Sequence, residues 1–471
     1  MIVLFIILSY LFSTADYGSF RQALMINKGL LELFALGIPM SIYYFLSRLQ
    51  DDSKKMFIAQ SLMVLAALGM VCSFLVFVFS GLIAEKFNNP DLEHLLRLFS
   101  LYPFFVLPTL ALESVLVTLG HAKRYAIFLI IDKLVMLILA GIAVLLFRSI
   151  DGLFVILLIF SFVELLAAIL LVKISTSGLS LVKRPIILRE QIKVALPTGV
   201  ANIVGILNVE LDKLIVGLFF NVEQFARYVN GAFEIPFIGT VANATTSVLM
   251  PEYVKSFEQK NHYRILELWH GAIIKVAIIF IPLIVFMFFN AREFISLLFS
   301  DKYIGSAIIF QIYLIAHIPK LTWYGPLLVA MGYSKEPLIA SLLSLVCNIV
   351  LNIIFIQWIG FIGPAIATVL TTYVLVAYFL VRIRKVMNVG WLSLYPWRPL
   401  AMMIVLSSIA AISLIPLLEM LKLPVIVTLV TGYIFYMAIL LLIFRIIRII
   451  SDDDIAFVLS NTAKLKGLVR K

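Results

Sequence analysis

Lys28 and Glu32 stand one helical turn apart inside a long apolar run, a spacing at which a lysine and a glutamate can pair with each other. Glu210, Asp212 and Lys213 repeat the theme later in the chain, where Asp212 and Lys213 project about 100° apart on a helix and cannot face one partner. Ionisable groups at such places are costly in hydrocarbon and usually face a bundle interior or a water-filled cavity. Two roles are open to them: a cationic lining for an anionic ligand, built on Lys28 and Lys213, or a neutralised pair that stabilises helix packing. Arg21 and Arg227 occupy roughly corresponding places in the two halves of the chain, as further anion contacts or as anchors whose guanidinium groups snorkel to lipid headgroups. Glu32, Asp212, Glu164 and Glu234 are the carboxylates placed to couple an ion or to hold structure. Glu113 and the Asp132 and Lys133 pair complete the set, the pair lying close enough to a helix end to be partly hydrated. His317 with Lys320 offers a further anion contact. Asn348, Asn352, Thr368, Thr371 and Thr372 are suited to hydrogen bonds between helices.

The elements that carry these residues follow from composition. The chain has 471 residues, 63% hydrophobic and 13% charged, with a mean hydropathy of +1.10. A soluble domain is about half apolar and a quarter charged, so an ordinary globular protein is excluded. Because roughly 20 apolar residues cross about 30 Å of hydrocarbon, the apolar runs give about fourteen transmembrane helices in an all-α, polytopic membrane protein. Continuous runs, rather than ten-residue alternation, exclude a β-barrel. Cys72 and Cys347 lie in apolar runs far from any His or second Cys, so neither a disulfide nor a metal site is expected, and no cofactor is called for. Prolines 39, 108, 197, 236 and 282 fall within spans and predict kinks.

The net charge of +11 reads as topology rather than nucleic-acid binding. Connections after the even-numbered segments plus the C-terminal tail hold 24 Lys and Arg, among them Lys54, Lys55, Lys183, Arg184 and Arg445, against 7 on the other side. The positive-inside rule then places both termini in the cytoplasm.

An internal repeat organises the chain. Thr118–Phe147 aligns with Ala330–Ile359, and ADYGSFRQAL (15–24) with EQFARYVNGA (223–232). Each unit holds six helices, an even number, so the halves are parallel repeats about an axis along the membrane normal, an architecture of transporters. The expected organisation is an N-terminal six-helix lobe (1–174), a cytoplasmic connector (175–194), a C-terminal six-helix lobe (195–383), and two extra helices with a basic cytoplasmic tail (384–471). Met1 aligns with about Val209, so the first helix is expected to be short by more than half a span, with either a native start upstream or a truncated form.

Two stretches then carry a resemblance: STADYGSFRQ (13–22), and LDKLIVGLFFNVEQFARYVNGAFEIP (211–236) leading to VLMPEYVKSF (248–257). They resemble the polysaccharide biosynthesis proteins, Wzx-type flippases of lipid-linked oligosaccharides within the multidrug/oligosaccharidyl-lipid/polysaccharide exporter superfamily, over essentially the whole chain. The resemblance implies export of an undecaprenyl-diphosphate-linked oligosaccharide, such as an O-antigen, capsule or exopolysaccharide unit, across the bacterial inner membrane by alternating access. It also implies no enzymatic activity, with membrane lipids, the lipid-linked oligosaccharide, a polysaccharide polymerase and other assembly proteins as partners, and no nucleic acid. Lys28 and Lys213, with Arg21 and Arg227, become the residues to meet the diphosphate. A cation-coupled multidrug exporter of the same superfamily is the alternative. A membrane polymerase or ligase is the more distant one, since it needs a substantial external loop bearing catalytic groups, and the external loops here are short.

Overall fold

The computed structural model describes residues 2–176, 178, 187–235, 237–420 and 424–450. Lys183 and Arg184 of the connector, Pro236, Lys422 and the basic tail beyond 450 lie outside the described residues. Among the described residues every regular element is helical. Eleven helices are long and apolar enough to cross a membrane, or twelve when a pair bent by 53° is taken as one span. The short helix Ile2–Leu11 and Ile238–Glu258 complete the fourteen segments read from the sequence. The chain is a multi-pass membrane protein.

Two compact units emerge, one from the described residues of Met1–Asn230 and Leu345–Pro364, the other from those of Gly231–Ser344 and Ala365–Lys471. The first unit starts with α1 (Ile2–Leu11) and α2 (Thr14–Ala35). Ser13 caps α2 by accepting from the Asp16 backbone N–H at 3.0 Å. Leu36 and Gly37, both with positive φ, break the span before α3 (Ile38–Leu46), so the kink expected at Pro39 is a full break with the proline in the first turn of the new helix. Then come α4 (Asp51–Lys86), the bent span of α5 (Asp91–Leu98), α6 (Tyr102–Thr109) and α7 (Ala111–Thr118), and the long α8 (Ala122–Phe147) and α9 (Ile150–Ser175). On α8 the exposed stripe Ile130, Leu134, Ile138, Ile142 and Leu145 lies opposite buried Asp132, Met136, Ala140 and Ala143, the spacing of a helix with one face to lipid. α10 (Leu188–Phe219), with Pro197 inside, packs on α2 and α3 and leads to α11 (Val222–Gly231).

The second unit is built on α12 (Ile238–Glu258), α13 (His262–Phe289), α14 (Ala291–Phe299), α15 (Ala307–His317) and α16 (Tyr324–Ala330). It continues with the start of α17 (Glu336–Trp358), most of α18 (Gly363–Met387), α19 (Trp391–Leu394), α20 (Trp397–Met420) and α21 (Val425–Ile446). Its centre is aromatic: buried Trp269 meets Tyr324 and Tyr395 edge-on and donates from its indole N–H to Thr322 at 3.1 Å.

Candidate functional site

Three charged side chains of the first unit, Lys28, Glu210 and Lys213, converge where α10 crosses α2. Lys28 lies near the middle of the broken span Thr14–Leu46 and projects from α2 toward α10. Its ammonium group binds Oε1 of Glu210 at 2.7 Å. The other carboxylate oxygen, Oε2, accepts from Lys213 one turn further along α10, at 2.8 Å. One glutamate therefore holds two lysines from two helices. Lys28, Glu32 and Glu210 line an open cleft of about 530 Å³ whose remaining wall is the α10 face of Ala201, Asn202, Gly205, Ile206 and Val209. The Lys28 side chain is 62% exposed, against 14% for Lys213 behind the glutamate.

This geometry corrects one expectation. The carboxylate that faces Lys28 is Glu210, across the helix pair, and not Glu32 on its own helix. A bond between helices joins two rigid backbones and positions both ends, whereas an (i, i+4) pair on an open face contributes only a few tenths of a kcal/mol. Glu32 remains half-buried on the cleft wall, with Lys28 turned toward its neighbour.

Asp212 and Lys213 diverge as their spacing requires. Asp212 is 1% exposed and accepts from the Tyr228 hydroxyl at 2.8 Å, tying α10 to α11 on the side away from the cleft. Arg21 does not reach out as a snorkelling anchor. It is half-buried, donates to Tyr17 Oη at 2.6 Å and to Asn230 Oδ1 at 3.3 Å, and stacks over the Phe5 ring at 4.0 Å. Tyr17 itself donates to the same Asn230 oxygen at 2.6 Å, so Arg21 belongs to a buried clamp between α2 and α11. Arg227 stands exposed on α11, apart from that clamp.

Other sequence candidates lie elsewhere. Glu164 is half-buried on α9, within electrostatic reach of Asp132 and Lys133. Asp132 is buried rather than hydrated and binds Lys133 at 2.8 Å. Glu113 accepts from Tyr125 at 3.0 Å. In the second unit Glu234 pairs with Lys320 at 3.0 Å, so this lysine already has an anionic partner, and His317 beside it is buried. Asn352 donates to Asn348 and Thr372 to the Thr368 carbonyl, bonds within one helix where bonds between helices were expected. Among the described residues no cluster of His, Cys, Asp and Glu could hold a metal ion.

A broken, kinked all-helical membrane fold with a charged cleft between α2 and α10 defines a class before it defines a member. Comparison of whole folds finds that class: the lipid II flippase MurJ in an inward closed conformation is similar at 18% identity, covering 95% of this chain and 97% of that one, with a TM-score of 0.72. A multidrug resistance MATE family transporter of the MOP superfamily, inward-facing, is similar at 15% identity over 83% and 96% of the two chains, with a TM-score of 0.59. A mutant of the Vibrio cholerae MATE transporter VcmN reaches 0.53 at 14% identity, over 83% and 96%. The fold is thus shared with the lipid II flippase MurJ and with a MATE transporter of the MOP superfamily. The sequence profile of the polysaccharide biosynthesis proteins matches residues 6–308, and the chain belongs to that family. No curated protein matches it by sequence.

Proposed function

We propose that this protein is a flippase that moves an undecaprenyl-diphosphate-linked oligosaccharide across the bacterial cytoplasmic membrane by alternating access, with both termini in the cytoplasm. The observation that carries this reading is the pair of lysines, Lys28 and Lys213, brought to one carboxylate at the edge of an open cleft halfway along a spanning segment. A lipid diphosphate passing through a membrane protein must exchange water for donors, because uncompensated phosphate charge in a low-dielectric path is costly by several kcal/mol. Lysine ammonium groups on flexible stems are suited to that exchange. Family membership and the flippase fold support the same class of cargo, and no chemical transformation is part of the proposal.

The test is flipping of a fluorescent lipid-linked oligosaccharide in proteoliposomes. Lys28→Gln and Lys213→Gln should each lower the initial rate at least about tenfold, the cost of one lost charge-assisted contact. Arg at either position should keep part of the rate, and the amount of folded protein in the membrane must be matched. A well-expressed double Gln variant with the full rate would overturn the site. Efflux of a cationic dye with no flipping of any lipid-linked oligosaccharide would favour a multidrug exporter instead.

A further inference from the structure

Among the described residues Glu210 is the carboxylate that holds two lysines, one through each oxygen, at 2.7 and 2.8 Å. In the second unit Glu234 pairs with Lys320 at 3.0 Å, with both side chains about half exposed. The arrangement around Glu210 has an electrostatic consequence. Lys28 and Lys213 carry two positive formal charges, and Glu210 and Glu32 carry two negative ones, so the four side chains at the cleft cancel. A diphosphate arriving there meets a neutral cluster, and both ammonium groups are already engaged. One bond to a carboxylate leaves an ammonium group with further N–H donors, but Glu210 offsets the charge of both lysines, so tight binding of a diphosphate requires drawing them away from that carboxylate.

We propose that Glu210 is a built-in counter-anion: it occupies the position of a substrate phosphate in the empty protein, competes with the diphosphate for Lys28 and Lys213, and reclaims them to drive release. The inference rests on the diphosphate reading above and assigns to that site its regulation. A carboxylate that bridges two ammonium groups presents the same pair of oxygen acceptors as one phosphate, and a diphosphate, with more charge and more acceptors, can displace it. Exposed Lys28 is the first contact and Lys213, less exposed and behind the Glu210 carboxylate, the second. The cluster then discriminates against single weak anions, which cannot match a carboxylate held at two points. It also keeps the lysines positioned when no cargo is bound.

The experiment is binding of farnesyl diphosphate and of inorganic pyrophosphate to the full chain in detergent, by calorimetry, alongside the flipping assay. Glu210→Gln keeps the side-chain shape and removes the charge. It should bind farnesyl diphosphate about tenfold more tightly than the native protein, the factor that accompanies one charge-assisted contact, and should flip cargo more slowly because release is impaired. Glu210→Asp, one methylene shorter, spans both lysines poorly and should bind with intermediate affinity. If Glu210→Gln does not yield folded protein, the aspartate variant decides alone, and native affinity in it overturns the inference. Equal or weaker binding by a folded Glu210→Gln, with Lys28→Gln and Lys213→Gln still losing the ligand, overturns the counter-anion while leaving the diphosphate site standing. Unchanged binding in the lysine variants overturns the site itself. Pyrophosphate binding as tight as farnesyl diphosphate would show that the headgroup chemistry suffices without the lipid chain.

Discussion

Asp212 shows what a buried charge does when it is not offered to a ligand. Its carboxylate is sealed away from the cleft and bonded to the Tyr228 hydroxyl. A hydrogen bond to a charged group contributes about 1.5–3 kcal/mol, and the loss of a partner from a buried charge falls on stability. Tyr228→Phe should therefore lower the unfolding temperature in detergent by an amount corresponding to about 1–3 kcal/mol, while Asp212→Asn, which still accepts the bond, should cost less. Flipping per folded molecule should be nearly unchanged in both. Equal stability of Tyr228→Phe and native protein would remove Asp212 from its structural role. The sequence made Asp212 and Lys213 visible as charges in apolar runs, and their angular separation foretold that they part. It could not supply Tyr228, Asn230 or Tyr17 as partners, because a tyrosine or asparagine near a span end has no distinguishing pattern. The pairing of Lys28 failed for a related reason: sequence spacing exposes neighbours on one helix, and Glu210 is 182 residues away.

The elements of the site are fixed by a backbone contact more than by side chains. Gly37, at φ +72°, ends the break between α2 and α3, and Gly199 of α10 lies directly on it. A Cβ at Gly199 would run into the Leu36 carbonyl and the Gly37 backbone, and one at Gly37 into the Ala195 carbonyl and the Gly199 nitrogen. Close approach of this kind is how small residues pack helices in lipid, where no hydrophobic effect drives them together. Next to it, buried Gln191 donates to Ser41 at 3.2 Å and Ser61 at 2.9 Å, and accepts from Gln60 at 3.3 Å, clamping the start of α10 to α3 and α4. Gly199→Ala should thus displace α10 and destabilise the protein by about 1–3 kcal/mol, as overpacking does. Gly205→Ala on the same helix meets nothing within 4 Å and should be neutral or slightly stabilising. Matching melting temperatures for the two alanine variants would show that the contact carries no weight. Span positions were legible because each is a continuous apolar run, and even the short first helix was. The break at Leu36–Gly37 was only hinted at by Pro39, since a proline marks where a helix can yield without stating how far, and the 53° bend falls between Leu98 and Tyr102, ahead of the kink expected at Pro108.

At the scale of the whole molecule the question is which side faces the cytoplasm, and charge and aromatic residues bear on it together. The ends rich in Lys and Arg also carry amphipathic contacts suited to a headgroup region: Arg48 stacks over Tyr44 at 3.7 Å after α3, and Arg384 over Trp391 at 4.9 Å at the end of α18. A cation held over an aromatic ring keeps its charge toward water while its stem lies in lipid, so these positions resist translocation during insertion. They coincide with the connections that the positive-inside count places in the cytoplasm. Single cysteines in a Cys72→Ala, Cys347→Ala background test this arrangement. Position 178 reports the connector between α9 and α10, and position 302 the turn after α14. Lys302 is exposed, whereas its neighbour Tyr303 is fully buried and would report packing rather than sidedness. In intact cells a membrane-impermeant maleimide should label Lys302→Cys and spare Gly178→Cys, and permeabilisation should expose the second. Labelling of both, or of neither, in intact cells would refute the topology. With it would fall the direction of transport in the proposed function, which rests on a cytoplasmic connector.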